Sequence, residues 1–302
     1  MARRSSKRRS GRRTQNRNYF ALAAMVLLST SALSAMGYVA YQDMNTVKAD
    51  LVGCYATPQP KDQTVILVDS SEPRFDAVQS RDLKNAIKAV YDHDLDFNEN
   101  LKIFTTEKTD IGSIPAPVLE ICGSARTTVE LEEIGASDAS QAFLDRQRQQ
   151  VFEKTVAPIL DQVFAREVDD AQKQDRESPI LEQLQNMARL REMHDQGQSR
   201  KLIIVSDMIQ HTVEMQACSA KGHLPSFAKF QTQPYFKQVR PKNLNGVEAT
   251  VYLLVRPGLG QGAYSYCTED ELVQFWQDYF DAAGASVTFI RLRDGAYVAS
   301  DT

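Results

Sequence analysis

Twenty-three consecutive residues without a charge, Tyr19 to Tyr41 (YFALAAMVLLSTSALSAMGYVAY), follow a 17-residue segment that holds eight Lys and Arg and no acid. As a helix rising ~1.5 Å per residue, that run reaches ~34 Å, enough to cross a hydrocarbon core of ~30 Å. The basic flank predicts a cytoplasmic tail over residues 1–18, a transmembrane helix over 19–41, and everything beyond on the far side of the membrane. A chain with this opening is expected in the inner (cytoplasmic) membrane as a single-pass protein, its C-terminal part periplasmic or extracellular. Tyrosines at both ends of the run suit the interfacial belts.

A cleaved signal peptide is the rival reading, with Ala32-Leu33-Ser34 as the small-residue cleavage site. The long basic segment and the apolar continuation through Met36 to Tyr41 favour an uncleaved anchor. A twin-arginine signal fits less well, because Arg12-Arg13 leads into Thr-Gln-Asn rather than an apolar run. Beyond the tail, 27 basic residues face 39 acidic ones, a net charge of about −12. An acidic body argues against nucleic acid as its partner, since phosphate binding needs a cationic surface. With 42% hydrophobic and 25% charged residues, the composition excludes collagen, coiled coil and wholesale disorder.

All four cysteines, Cys54, Cys122, Cys218 and Cys267, lie beyond the span. An even number in an exported domain predicts two disulfides, with three pairings open, against the bland reading of buried free thiols. The spacing contains no C-x-x-C, which disfavours zinc.

Residues 42–61, with Pro58 and Pro60, read as a stalk, and 62–302 as one domain. Strands are expected at Thr64–Val68, Leu101–Thr105, Arg126–Leu131, Lys201–Val205, Glu248–Arg256 and Ser286–Leu292. Helices are expected near Val78–Tyr91, Ser140–Ala171 (with Pro158 bending it), Pro179–His194, Ser226–Val239 and Glu269–Ala283, the last ending at Gly284. Ser178 before Pro179 reads as an N-cap. Strands apolar throughout and alternating with amphipathic helices predict the α/β class, a mainly parallel doubly wound sheet with helices on both faces.

In such a sheet the ligand site forms at the carboxyl ends of the strands, where the strand order reverses. The first strand runs into Asp69-Ser70-Ser71-Glu72-Pro73, a later one into Ser206-Asp207-Met208, and the loop before a central helix supplies Ser178. Together these resemble the von Willebrand factor type A (integrin I-like) domain, over about Thr64–Leu292. In that family a divalent ion sits on a D-x-S-x-S loop, a hydroxyl from a second loop and an aspartate from a third. The resemblance therefore implies a metal site at Asp69, Ser71, Ser178 and Asp207, holding Mg²⁺ or another divalent cation. Pro73 stands where the second serine belongs and carries no side-chain oxygen, so the site is degenerate. Without an ion, the two aspartates would simply accept backbone amides, with the serines as caps. Asp-Ser-Ser-Glu-Pro paired with Ser-Pro-Ile and Ser-Asp-Met is also similar to bacterial single-pass membrane proteins of uncharacterised type, a likeness that brings no activity with it.

The function this implies is protein binding or scaffolding by a membrane-anchored, extracytoplasmic module, its partners being other envelope or membrane proteins. A metal-dependent hydrolase of phosphate or ester substrates is the alternative. Phosphatases built on a related sheet need a second carboxylate two places after the first, where this chain has Ser71. A third reading is a structural component that oligomerises through the small residues Ser29, Ser31, Ala32, Ser34, Ala35 and Gly37 of the span.

Other signals are weaker. Asp92, Asp94 and Asp96 imitate the start of an EF-hand, but Phe97 and Ile103 occupy the glycine and glutamate positions. Gly258, Gly260 and Gly262 lack dinucleotide-loop spacing, and His211, Cys218 and His223 would make an incomplete metal cluster. No G-x-S-x-G, H-E-x-x-H or G-x-x-x-x-G-K-[ST] motif occurs, so no enzyme is expected.

Overall fold

The computed structural model describes residues 25–38, 41, 46–56, 61–70, 77–106, 113, 115–136, 139–164, 177–194, 199–219, 223–255, 266–293 and 296–297. Its frame is a sheet of seven strands in the order β3-β2-β1-β4-β5-β6-β7. These are β1 (Gln63–Val68), β2 (Asn100–Thr105), β3 (Leu119–Cys122), β4 (Arg200–Ser206), β5 (Val247–Leu254), β6 (Ser286–Arg293) and β7 (Ala296–Tyr297). Strands β2, β1, β4, β5 and β6 are parallel, while β3 and β7 close the two ends antiparallel.

The central strands β1 and β4 are apolar over residues 65–68 and 202–205 because both of their faces are covered there. Val65, Leu67, Leu202 and Ile204 point into one core, shared with α5 (Ile180–Met187) and α8 (Glu269–Ala283). Ile66, Val68, Ile203 and Val205, one residue out of phase, point into a second core with Leu83 and Ile87 of α1 (Ala77–Ala89) and Leu160 and Phe164 of α4 (Ala157–Phe164). Burying each of these aliphatic side chains is worth about 1.5–3 kcal/mol, so the alternation of faces fixes the register firmly.

The expected strand at Arg126–Leu131 is instead the start of α2 (Thr128–Glu133). Thr127 and Glu130 form a reciprocal capping box, and satisfying those amides outweighs the β-branched run Thr-Thr-Val. The edge strand β3 lies earlier, where no strand was expected. The long helix expected from Ser140 is α3 (Gln141–Val151), a π turn (Phe152–Val156) and α4. Pro158, two residues past the π turn, has no N–H for the carbonyl four residues earlier, which suits an interruption there. Residues 165–171 of that expectation lie outside the described residues.

The helix expected over Pro179–His194 stops at Met187 and continues only as a 3-10 turn at Arg191–Met193. That expected near Ser226–Val239 is two short pieces, α6 (Phe227–Phe230) and α7 (Phe236–Val239). The last helix is as expected, capped by Thr268 and ended by Gly284 in the left-handed region.

Two disulfides select one of the three pairings, Cys54–Cys122 and Cys218–Cys267. The first ties the segment expected as a stalk to β3. Over residues 46–56 that segment packs on the domain: Val47 N–H donates to Gly135 O (3.1 Å), and Tyr55 N–H to Asn98 Oδ1 (2.8 Å). Of the apolar run, residues 25–38 form an exposed helix. No helix among the described residues is long and apolar enough to cross a membrane, and residues 19–24, 39 and 40 lie outside them.

Candidate functional site at the carboxyl rim of the sheet

The strand order reverses between β1 and β4, and both strands end at the same rim. Asp69 follows β1, and its N–H continues the ladder by donating to Val205 O of β4 (2.8 Å). Parallel register sets Val68 beside Thr105 on one side and Val205 on the other. The next residues outward, Thr106, Asp69 and Ser206, are consequently neighbours across three strands.

The Asp69 carboxylate, 1% exposed, is filled by hydroxyl donors. Thr106 Oγ1 donates to Oδ1 (2.8 Å), while Ser206 Oγ (2.9 Å) and Ser178 Oγ (3.2 Å) donate to Oδ2. Two of these hydroxyls are oriented by backbone amides that they accept in turn. Ser70 N–H donates to Thr106 Oγ1 (2.9 Å), and Met208 N–H to Ser206 Oγ (2.8 Å), which directs both protons at the aspartate. A buried carboxylate without such donors would cost several kcal/mol.

Ser178 reaches Asp69 from another part of the chain. It was expected as the N-cap of the following helix, but Pro179 holds that position, and the serine hydroxyl turns to Asp69 instead. Its backbone forms a two-bond bridge with His211: Ser178 N–H to His211 O (2.7 Å) and His211 N–H to Ser178 O (3.0 Å). Asp207, 3% exposed, accepts Ile209 N–H on Oδ1 (2.9 Å). Met208 takes a positive φ of 59°, and its carbonyl accepts the Trp276 indole N–H (2.7 Å). That contact pins the turn to α8.

Thus Asp69, Ser178 and Asp207 share one rim, while Ser71 and Pro73 lie outside the described residues. Sequence reasoning missed Thr106, although its place after an apolar strand parallel to β1 was a usable signal. It also passed over Ser206 as a side chain in its own right. Among the described residues there is no group of three or more His, Cys, Asp or Glu that could hold a metal ion. The rim differs from such a group in being two carboxylates among hydroxyls.

Beneath the rim lies a second polar cluster. Gln210 Oε1 accepts Leu181 N–H (2.9 Å), and its Nε2 donates to Glu182 Oε2 (2.9 Å) and Tyr235 Oη (3.0 Å). The Tyr235 hydroxyl donates to the other Glu182 oxygen. Burial pushes the Tyr235 hydroxyl well above the ordinary tyrosine range, and the neighbouring Glu182 carboxylate adds to the shift.

The marked-down signals fall elsewhere. Asp92 pairs with Lys88 and Arg148, and Asp96 with Arg126, around the turn that leads into the amino end of β2, at the other end of that strand from Thr106. Cys218 is in a disulfide, so it offers no thiolate to His211 and His223. Gly258, Gly260, Gly262 and Tyr264 lie outside the described residues.

No protein-family model and no curated protein matches the chain. Among solved structures it is similar to the crystal structure of conserved hypothetical protein BatB from Bacteroides thetaiotaomicron, at 12% identity over 77% of this chain and 90% of that one, with a TM-score of 0.33. A likeness at that score carries no conclusion about this chain.

Proposed function

We propose that the chain is a membrane-anchored, extracytoplasmic protein-binding module of von Willebrand A-like type, which docks other envelope proteins at the carboxyl rim of its sheet. The observation that supports this is the convergence of Asp69, Thr106, Ser178, Ser206 and Asp207 from separate stretches of sequence at the point of strand reversal, where open α/β sheets bind their ligands. Residues 19–41 are the anchor in this reading, and the acidic body directs the module toward proteins rather than nucleic acid. The two disulfides suit an oxidising compartment. The chain binds and does not catalyse.

A divalent cation belongs to the same reading. Ser178 Oγ donates its one proton to Asp69 Oδ2 (3.2 Å) and keeps oxygen lone pairs that a cation could use. Asp69, Ser178 and Asp207, with Ser71, would hold it, and hard carboxylate and hydroxyl oxygens match Mg²⁺. Bound there, the ion would offer an open position to a carboxylate of the partner. Titrating the full-length protein in detergent with Mg²⁺ or Mn²⁺ by calorimetry tests this. Saturable one-site binding that disappears in Ser178→Ala is expected, and no binding heat in the wild type overturns the cation.

A further inference from the structure

We infer that Gln210 is the positioning residue of the rim, the side chain that holds the Ser178 segment and the Asp207 loop in register. The inference rests on reading that rim as the docking site.

The two segments are 29 positions apart in sequence and belong to different elements: Ser178 leads into α5, whereas Ser206 and Asp207 leave β4. Between them run the backbone bridge of Ser178 with His211 and, immediately beside it, the Gln210 side chain. Gln210 is 1% exposed, and its amide is used at both ends. The carbonyl end caps the first turn of α5 at Leu181 N–H, while the amino end is held by Glu182 and Tyr235. Its backbone carbonyl also accepts Ala217 N–H (2.9 Å), folding the loop back toward Cys218.

Few side chains can do this. The position needs an acceptor aimed at the helix start and a donor aimed at a carboxylate and a phenol, separated by the width of one amide. Glutamate supplies only acceptors and would set a second carboxylate against Glu182 in a dry interior. Methionine fills the same volume with neither function.

Hydrogen exchange read by mass spectrometry on the full-length protein tests the assignment. In Gln210→Met, peptides covering residues 177–183 and 206–212 should exchange roughly ten- to a hundredfold faster, while the centres of β1 and β4 keep wild-type protection. Gln210→Glu should open the same two segments more severely. Adding Glu182→Gln restores a donor opposite an acceptor and should return them to near wild-type rates. Unchanged exchange at the rim, equal acceleration throughout the sheet, or failure of the swap to rescue would each overturn the assignment. These rates need neither partner nor ion, so they stand or fall separately from the docking reading.

Discussion

At the residue scale, the rim is governed by one rule: a buried carboxylate must be given donors in place of the water it has lost. Asp69 meets it with three hydroxyls, two of them aimed by backbone amides. Thr106 is the informative one, because valine keeps its shape while removing both its donor and its acceptor. Thr106→Val should lower the unfolding free energy by about 2–3 kcal/mol, as expected for a lost hydrogen bond to a buried charge. Urea denaturation checks this, with Thr288→Val on the exposed face of β6 as a control that stays within ~0.5 kcal/mol. Asp69 and Asp207 could be read from sequence because each directly follows an apolar strand. Thr106 likewise directly follows a strand, but what singles it out is the parallel pairing of β1 with β2, which brings it to the aspartate. The role of Ser178 was misread for a related reason. Serine before proline is a strong capping signal, and only the tertiary bridge to His211 turns the hydroxyl elsewhere.

At the element scale, the readable pieces are those whose local chemistry agrees with their surroundings. β1, β4 and β5 contain the apolar runs 65–68, 202–205 and 251–254, and α8 carries a capping box at one end and Gly284 at the other. β3 was unreadable because four residues on an antiparallel edge make no period of their own. α2 carried its signal in Thr127 and Glu130, which the β-branched run obscured. Gly284 is required as well as conventional: its φ is +81°, and a Cβ there would lie 1.8 Å from Asn245 Oδ1. Gly284→Ala should destabilise the protein by more than ~1–2 kcal/mol, combining left-handed strain with displacement of the Asn245 side chain. A thermal melt compared with an alanine at exposed Asp281 on the same helix end checks it.

At the scale of the whole molecule, the two cores, one on each sheet face, leave the carboxyl rim as the place where loops from several connections meet. The Cys218–Cys267 bridge fastens the end of the Asp207 loop to the entry of α8, and Trp276 holds its start. Pairing among the four cysteines could not be derived from spacing, because all three combinations close loops of ordinary length; the fold decides by bringing Cys54 to β3. The same arrangement makes the rim testable without disturbing the core. Asp207→Asn retains an oxygen for Ile209 N–H, and Ser178→Ala retains the bridge to His211 while removing one donor from Asp69, so the double variant should stay folded and melt cooperatively, a few degrees below the wild type. The most direct measurement is affinity capture of the tagged, full-length wild type and this double variant from their native membranes, with quantitative mass spectrometry of what accompanies each. Docking at the rim predicts that proteins held by the wild type fall by ~tenfold or more, equivalent to ~1.4 kcal/mol of lost binding. The same proteins in the same ratio on a variant that is folded at the temperature of the capture would contradict it.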